Sequence, residues 1–386
     1  MRHKRLLAIG GSLLFALAGC STGTPATVAP ATPAPTAAPP ATATAAPATA
    51  AATATPAATA EGWTPVYEGG VLQPLPDGFP TQPITLLNVD EPSSADGLYA
   101  RAMQNAARSI SPVPIEVVDR PSSAFGTWEG LDFVKNQTGG LEGHYPVIAS
   151  MTGSALDFLT EPITPELGIE FPADVNPVIA TELVPFVVIS RANAPWSTWL
   201  GLVDYAKENP GELRYISLGV GSQLDLAMES IMKQAGIEAN KIPLEDPVEI
   251  GTVVAAGEGD FAMNVPDVAI GQAQAGRINV LLSVGDQVPE QWPDAATTAE
   301  LGMNEPWGSL RGFLVPPETD SLHRDWLYEL FSKASDAPEY QDRVNSLPGA
   351  QFELLDHDGV LAAQQRIIEL ADPIVRDLGL HYTQQQ

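Results

Sequence analysis

From Pro83 onward, short β-rich runs alternate with amphipathic helical stretches, and this alternation restricts the fold more than any other feature of the chain. Pro83–Val89, Ile115–Val118, His144–Ser150, Thr181–Ser190, Leu213–Ser217, Lys241–Leu244, Asp260–Val265, Ile278–Ser283 and Gly312–Val315 read as strands. Helices are predicted near 96–109, 127–137, 199–209, 222–235, 249–256, 267–275, 322–334, 338–346 and 358–378. Alternation of this kind predicts an α/β fold with mostly parallel strands, and the roughly 325 residues involved are enough for two such sheets. Ligands of these sheets sit beyond the carboxyl ends of the strands.

The clearest such junction is Leu213–Gly236, LRYISLGVGSQLDLAMESIMKQAG. Gly219 and Gly221 bracket a turn, Ser222 is placed to cap the following helix, and Leu226, Ile231 and Met232 share its apolar face. Free N–H groups and the positive end of the helix dipole point at such a turn, so it attracts anions. The third glycine of GxGxxG and the lysine of a P-loop are both missing, which argues against a nucleotide box. An ordinary strand-to-helix turn is the plainer reading.

The start of the chain carries an address. Arg2, Lys4 and Arg5 precede an apolar run, Leu6–Ala18, too short to span a bilayer comfortably, and Leu17-Ala18-Gly19-Cys20 resembles a bacterial lipobox. Residues 1–20 are thus expected to be a lipoprotein signal with Cys20 as the lipidated residue. Cys20 is the only cysteine, which excludes an internal disulfide, a cysteine zinc site and a thiol nucleophile in the folded part. Within 21–60, Thr24–Ala60 is almost wholly Ala, Thr and Pro and cannot bury a core. It is expected to be a disordered tether, reaching about 110 Å at roughly 3 Å per residue if extended.

Removing the first twenty residues leaves sixteen basic against 47 acidic residues, a net charge of −31. Such a surface argues against nucleic-acid partners and against polybasic docking on anionic lipid. The five histidines form neither HExxH nor H-x-H, and no G-x-S-x-G elbow occurs, so no metal, cofactor or catalytic residue is expected. Acidic residues are numerous enough that counting alone leaves a carboxylate-pair hydrolase open.

Four segments carry a family resemblance: VVDRPSSAFGTWEG (117–130), LVDYAKENPGELRYISLGVGS (202–222), GDFAMNVPDVAIGQAQAGRINVLLSV (259–284) and PDAATTAELG (293–302). In order and spacing they resemble the receptors of tripartite tricarboxylate transporters, the Bug family of extracytoplasmic solute-binding proteins. The resemblance implies a type II periplasmic-binding-protein fold, with two α/β lobes and a hinged ligand cleft. One lobe would hold 61–183 and 285–386, the other 184–284, hinged near Val184 and Gly285. Together with the lipobox, it implies a membrane-tethered receptor, expected to be a monomer without enzymatic activity. Such a receptor would capture a small organic acid or amino-acid-like solute and deliver it to the large and small membrane subunits. A sensing or adapter role is the alternative.

The family's ligand contacts map here onto Glu91, Pro92, Ser93, Ser94 and Asp96 in the first strand-to-helix turn and onto Thr152 in MTGSALD. In the G-x-G-S region they map onto Gly219, Gly221, Ser222 and Asp225, and beyond it onto Asn264 and Arg311. Backbone N–H groups of the first turn and of the G-x-G-S turn would hold a ligand carboxylate. Departures are informative. Glu91–Asp96 replaces a Pro-Gly-Gly run, Asp225 stands where His is frequent, and Asn264 where Asp is frequent. Glu245 lies in place of a basic position, and Arg311 in place of an aromatic. The acids Glu91, Asp96, Asp225 and Glu245 are expected to make the cleft negative and to favour a monocarboxylate bearing polar or cationic groups over di- and tricarboxylates. Trp196 and Trp199 are expected to pack within the second lobe.

Overall fold

A computed structural model describes residues 63–122, 126–244, 249–303 and 307–385. A hairpin of β1 (Tyr67–Glu68) and β2 (Val71–Leu72) precedes β3 (Ile84–Asn88), α1 (Ala95–Ala107), β4 (Ile115–Asp119), α2 (Thr127–Gln137), β5 (Val147–Ser150), α3 (Met151–Thr160), α4 (Ile163–Leu167) and β6 (Asn176–Pro185). The middle of the chain forms β7 (Val187–Arg191), α5 (Trp199–Glu208), β8 (Arg214–Leu218), α6 (Gln223–Ala235), β9 (Asn240–Leu244), α7 (Ile250–Ala256), β10 (Phe261–Asn264), α8 (Pro266–Gln274) and β11 (Ile278–Ser283). There follow β12 (Ala296–Thr297), β13 (Gly308–Val315), α9 (Ser321–Ser335), α10 (Pro338–Ser346), β14 (Gln351–Leu355) and α11 (His357–Asp377).

Two six-stranded sheets result, ordered β14-β6-β13-β5-β3-β4 and β12-β11-β7-β10-β8-β9. The expectation of mostly parallel sheets needs correction. β3, β4 and β5 pair in parallel, as do β8, β9 and β10, but β13 runs antiparallel to β5 and β6, and β7 antiparallel to β10 and β11. One antiparallel strand, β13 in the first sheet and β7 in the second, thus enters the middle of each.

Thr181–Ser190, one strand in the sequence reading, is the end of β6 and the start of β7. Pro185 pairs with Gly308 in the first sheet, whereas Val187 pairs with Asn264 and Ser283 in the second, so the chain changes sheets at Phe186. The largely apolar pattern of this stretch does not reveal the change, because both halves are buried. The return passes beside it, with the Val284 N–H donating to the Phe186 carbonyl at 2.8 Å. Sequence reasoning missed α3 because no turn residue separates it from β5. Ser150 ends the strand and caps the helix at once. It missed β14 too, whose mostly half-exposed residues show no clean alternation.

α3 and α11 serve both sheets. Met151 and Val360 belong to a core on the first sheet, while Ala155, Leu156 and Leu159 of α3 and Ile367, Ala371, Ile374 and Val375 of α11 join the core of the second. A fully buried leucine contributes about 1.5–3 kcal/mol, so this shared layer adds to the stability of both cores. Trp196 and Trp199 pack in the second sheet's core, as expected. Among the described residues, no helix is long and apolar enough to cross a membrane.

Candidate functional site: helix N-termini between the sheets

Three helices begin with a serine cap at the carboxyl end of a strand. Ser94 Oγ accepts from the Gly97 N–H (3.0 Å), Ser150 Oγ from the Gly153 N–H (3.4 Å) and Ser222 Oγ from the Asp225 N–H (3.2 Å). Each cap satisfies one of the orphan donors and leaves the positive end of the dipole facing outward.

Around α1, Asn88 at the end of β3 shapes the turn. Its Nδ2 donates to the Asp90 carbonyl and to Asp119 Oδ1, both at 2.9 Å. The turn packs so closely on α1 that a Cβ added at Gly97 would lie 2.8 Å from the Pro92 carbonyl oxygen. Glu91, Pro92 and Ser93 are exposed; Ser94 and Asp96 are half-buried.

The N-termini of α3 and α6 meet. Gln223, the first residue of α6, donates through Nε2 to Thr152 Oγ1 and to the Gly308 carbonyl, each at 2.8 Å. Thr152 Oγ1 donates in turn to Gly308 at 2.6 Å, and Ser309 Oγ donates to Ser150 Oγ at 3.2 Å. This cluster joins the helix after β8 in the second sheet to β5 and β13 of the first. Gln223 was not among the residues singled out from the sequence, though its place directly after the Ser222 cap was a usable signal.

The G-x-G-S turn is formed as expected, with Gly219 at φ 54° and Gly221 at φ 85°, where side chains are disfavoured. Its anion is already present. Asp225 reaches back so that Oδ2 accepts from the Gly221 N–H at 2.9 Å, while Oδ1 accepts from Ser217 Oγ (2.6 Å) and Tyr215 OH (3.0 Å). Lys241 Nζ lies 2.8 Å from both Asp225 Oδ1 and Glu229 Oε1. The Asp225 side chain is fully buried. The Gly221 N–H expected to face a ligand therefore serves an internal carboxylate.

Arg311 is likewise engaged. Its Nε donates to Asp96 at 3.0 Å and its Nη1 to Glu182 at 2.6 Å, and Arg343 donates to the other Glu182 oxygen. Two guanidinium groups meet two carboxylates, with the hydroxyls of Tyr99, Thr181 and Tyr340 hydrogen-bonded alongside at 2.7 and 2.6 Å. Asn264 is fully buried at the end of β10. Its Oδ1 accepts from the Val265 N–H at 2.8 Å, and its Nδ2 has no partner among the described residues.

These pairings correct the expectation of a strongly negative cleft. Asp96 is paired with Arg311 and the buried Asp225 with Lys241, which Glu229 shares; Glu91 is exposed, and Glu245 and Cys20 lie outside the described residues. The charge penalty foreseen for a second ligand carboxylate loses two of its four sources.

A family model described as the tripartite tricarboxylate transporter family receptor matches residues 145–372. The chain belongs to that family. It is 26% identical to a UPF0065 protein of Bordetella pertussis, over 79% of this chain and 92% of that one. Among solved structures, a TctC solute-binding protein from Polaromonas matches with a TM-score of 0.63 at 19% identity, covering 78% of this chain and 99% of the other. MatC of Rhodopseudomonas palustris, solved with bound malate, matches with a TM-score of 0.57 at 18% identity, covering 77% and 100%. A second R. palustris protein, solved with adipate, matches with a TM-score of 0.58 at 17% identity, covering 76% and 98%. The fold is that of the periplasmic binding proteins, two α/β lobes each built on one sheet. The chain is a solute-binding receptor of the tripartite tricarboxylate transporter family.

Proposed function

We propose that this receptor works outside the cytoplasm, tethered by lipid on Cys20, and that it captures a small carboxylate solute for the membrane subunits of a tripartite transporter. The observation that carries the carboxylate is the meeting of the α3 and α6 N-termini at Gln223, Thr152 and Gly308. Two positive dipole ends flanked by the Ser150 and Ser309 hydroxyls suit one carboxylate held between them. Malate and adipate in the two R. palustris proteins support the same ligand class. The proposed contacts are Ser93, Ser94, Thr152, Ser222 and Gln223. Asp225 and Arg311 instead hold the frame, and Asn264 lies in the core.

Closure would swing 61–183 with 285–386 against 184–284 about the neighbouring crossings at Phe186 and Val284. Titration calorimetry against acetate, malate, adipate and citrate tests the receptor reading, and failure of every carboxylate to bind would overturn it. Replacing Cys20 with Ser should release the protein from membranes. Retention after a carbonate wash would refute the lipid tether.

A further inference from the structure

Thr152 has a second role. It forms part of the wall of a cavity of about 390 Å³, at the lower end of the size range of small-molecule sites. Leu183 and Pro185 at the end of β6, Val284 after β11, and Met303, Trp307 and Leu310 supply its apolar surface. The residues on this surface come from both sheets and from both crossings between them.

Glu353 on β14 and Asp286 after β11 stand on the same wall. Among the described residues no cation acts on Glu353, whose charged neighbour is Asp286, and the remaining charged group, Arg366, already has a partner. Burial, then the neighbouring Asp286, raises the pKa of Glu353, the behaviour of a carboxyl group short of positive charge. Leu310 on β13 pairs with Leu183 on β6, which pairs with Gln351 on β14, so two strand spacings separate the β13 side of the cavity from the β14 side. That separation is about 10 Å.

We propose that the cavity holds the body of the solute, with its carboxylate toward Thr152 and the α3 N-terminus and a cationic group toward Glu353 and Asp286. The solute class is then an acid carrying an amine at the far end of an apolar linker. A six-carbon chain suits the separation. This inference rests on the carboxylate-receptor reading, because that reading places the carboxylate end.

Three six-carbon acids that differ only at the far end test it by titration calorimetry: 6-aminohexanoate, hexanoate and adipate. The expected result is 6-aminohexanoate at least tenfold tighter than adipate, with hexanoate between them. Combining Glu353→Gln with Asp286→Asn should reduce the tenfold preference to threefold or less. Both residues are at least partly solvent-exposed, so the variant should fold; a melting curve checks this. Adipate or hexanoate binding as tightly as 6-aminohexanoate would overturn the inference, as would a preference that survives in the double variant. If acetate or malate binds and no six-carbon acid does, the inference fails and the receptor reading stands. If no carboxylate binds at all, both fail.

Discussion

Replacing Asp225 with Ala removes the centre of the second sheet's polar network, and the cost can be worked from its contacts. The buried carboxylate accepts from the Gly221 N–H, Ser217 and Tyr215 and pairs with Lys241. Breaking a buried ion pair by deleting one partner costs about 3–5 kcal/mol, chiefly through the charge left behind. Lys241 is not wholly stranded, since Glu229 is also 2.8 Å away and the lysine side chain is 23% exposed. The buried Ser217 hydroxyl does lose its acceptor, at about 1–3 kcal/mol, and the half-buried Gly221 N–H loses its own at a smaller cost. A loss of about 3 kcal/mol is therefore expected in urea unfolding. The vacated seat should also take a small anion. Formate at ten times its dissociation constant would return about 1.4 kcal/mol to the variant and nothing to the parent. A loss below about 1 kcal/mol would refute the claim that the turn is built around its own carboxylate. Equal stabilisation of parent and variant by formate would refute it too.

Gln223→Ala removes two hydrogen bonds between the sheets, worth about 1 kcal/mol each, and should expand the ligand-free protein in small-angle scattering. An unchanged radius of gyration would show that this contact does not hold the lobes together. Gly97→Ala drives a Cβ to within 2.8 Å of the Pro92 carbonyl and 2.9 Å of Asn88 Nδ2, so a loss of about 1–3 kcal/mol is expected in urea; a neutral result would contradict the tight first turn. Burial pushes Asp157 up to about 8, the bond from Trp128 opposes this, and Glu161 adds to it. Because the folded value exceeds the unfolded value of about 3.9, the protonated form favours folding, so this stability is complete at low pH and falls as pH rises toward 8. Asp157→Asn should lessen the drop in urea midpoint between about pH 5 and pH 8, and an equal drop in parent and variant would exclude Asp157 as its source.

Local features of the chain determined much of this protein by themselves. The limits of α2, α10 and β11 match the sequence reading, as does the Ser222 cap. Each depends on periodicity and end residues that lie within a few positions of one another. The four resemblance segments likewise pointed to the family that the 145–372 match establishes. Tertiary structure alone decided where Thr181–Ser190 changes sheets, since hydrogen-bond partners are chosen after the apolar run is already committed to burial. It also decided what each charge does. Asp96 and Arg311 are 215 positions apart in sequence and 3.0 Å apart in space, and Asp225 finds Lys241 on the neighbouring strand β9. An acid in a sequence announces a charge, but its effect depends on the distance to its partner and on the water excluded around both, and only the fold sets those.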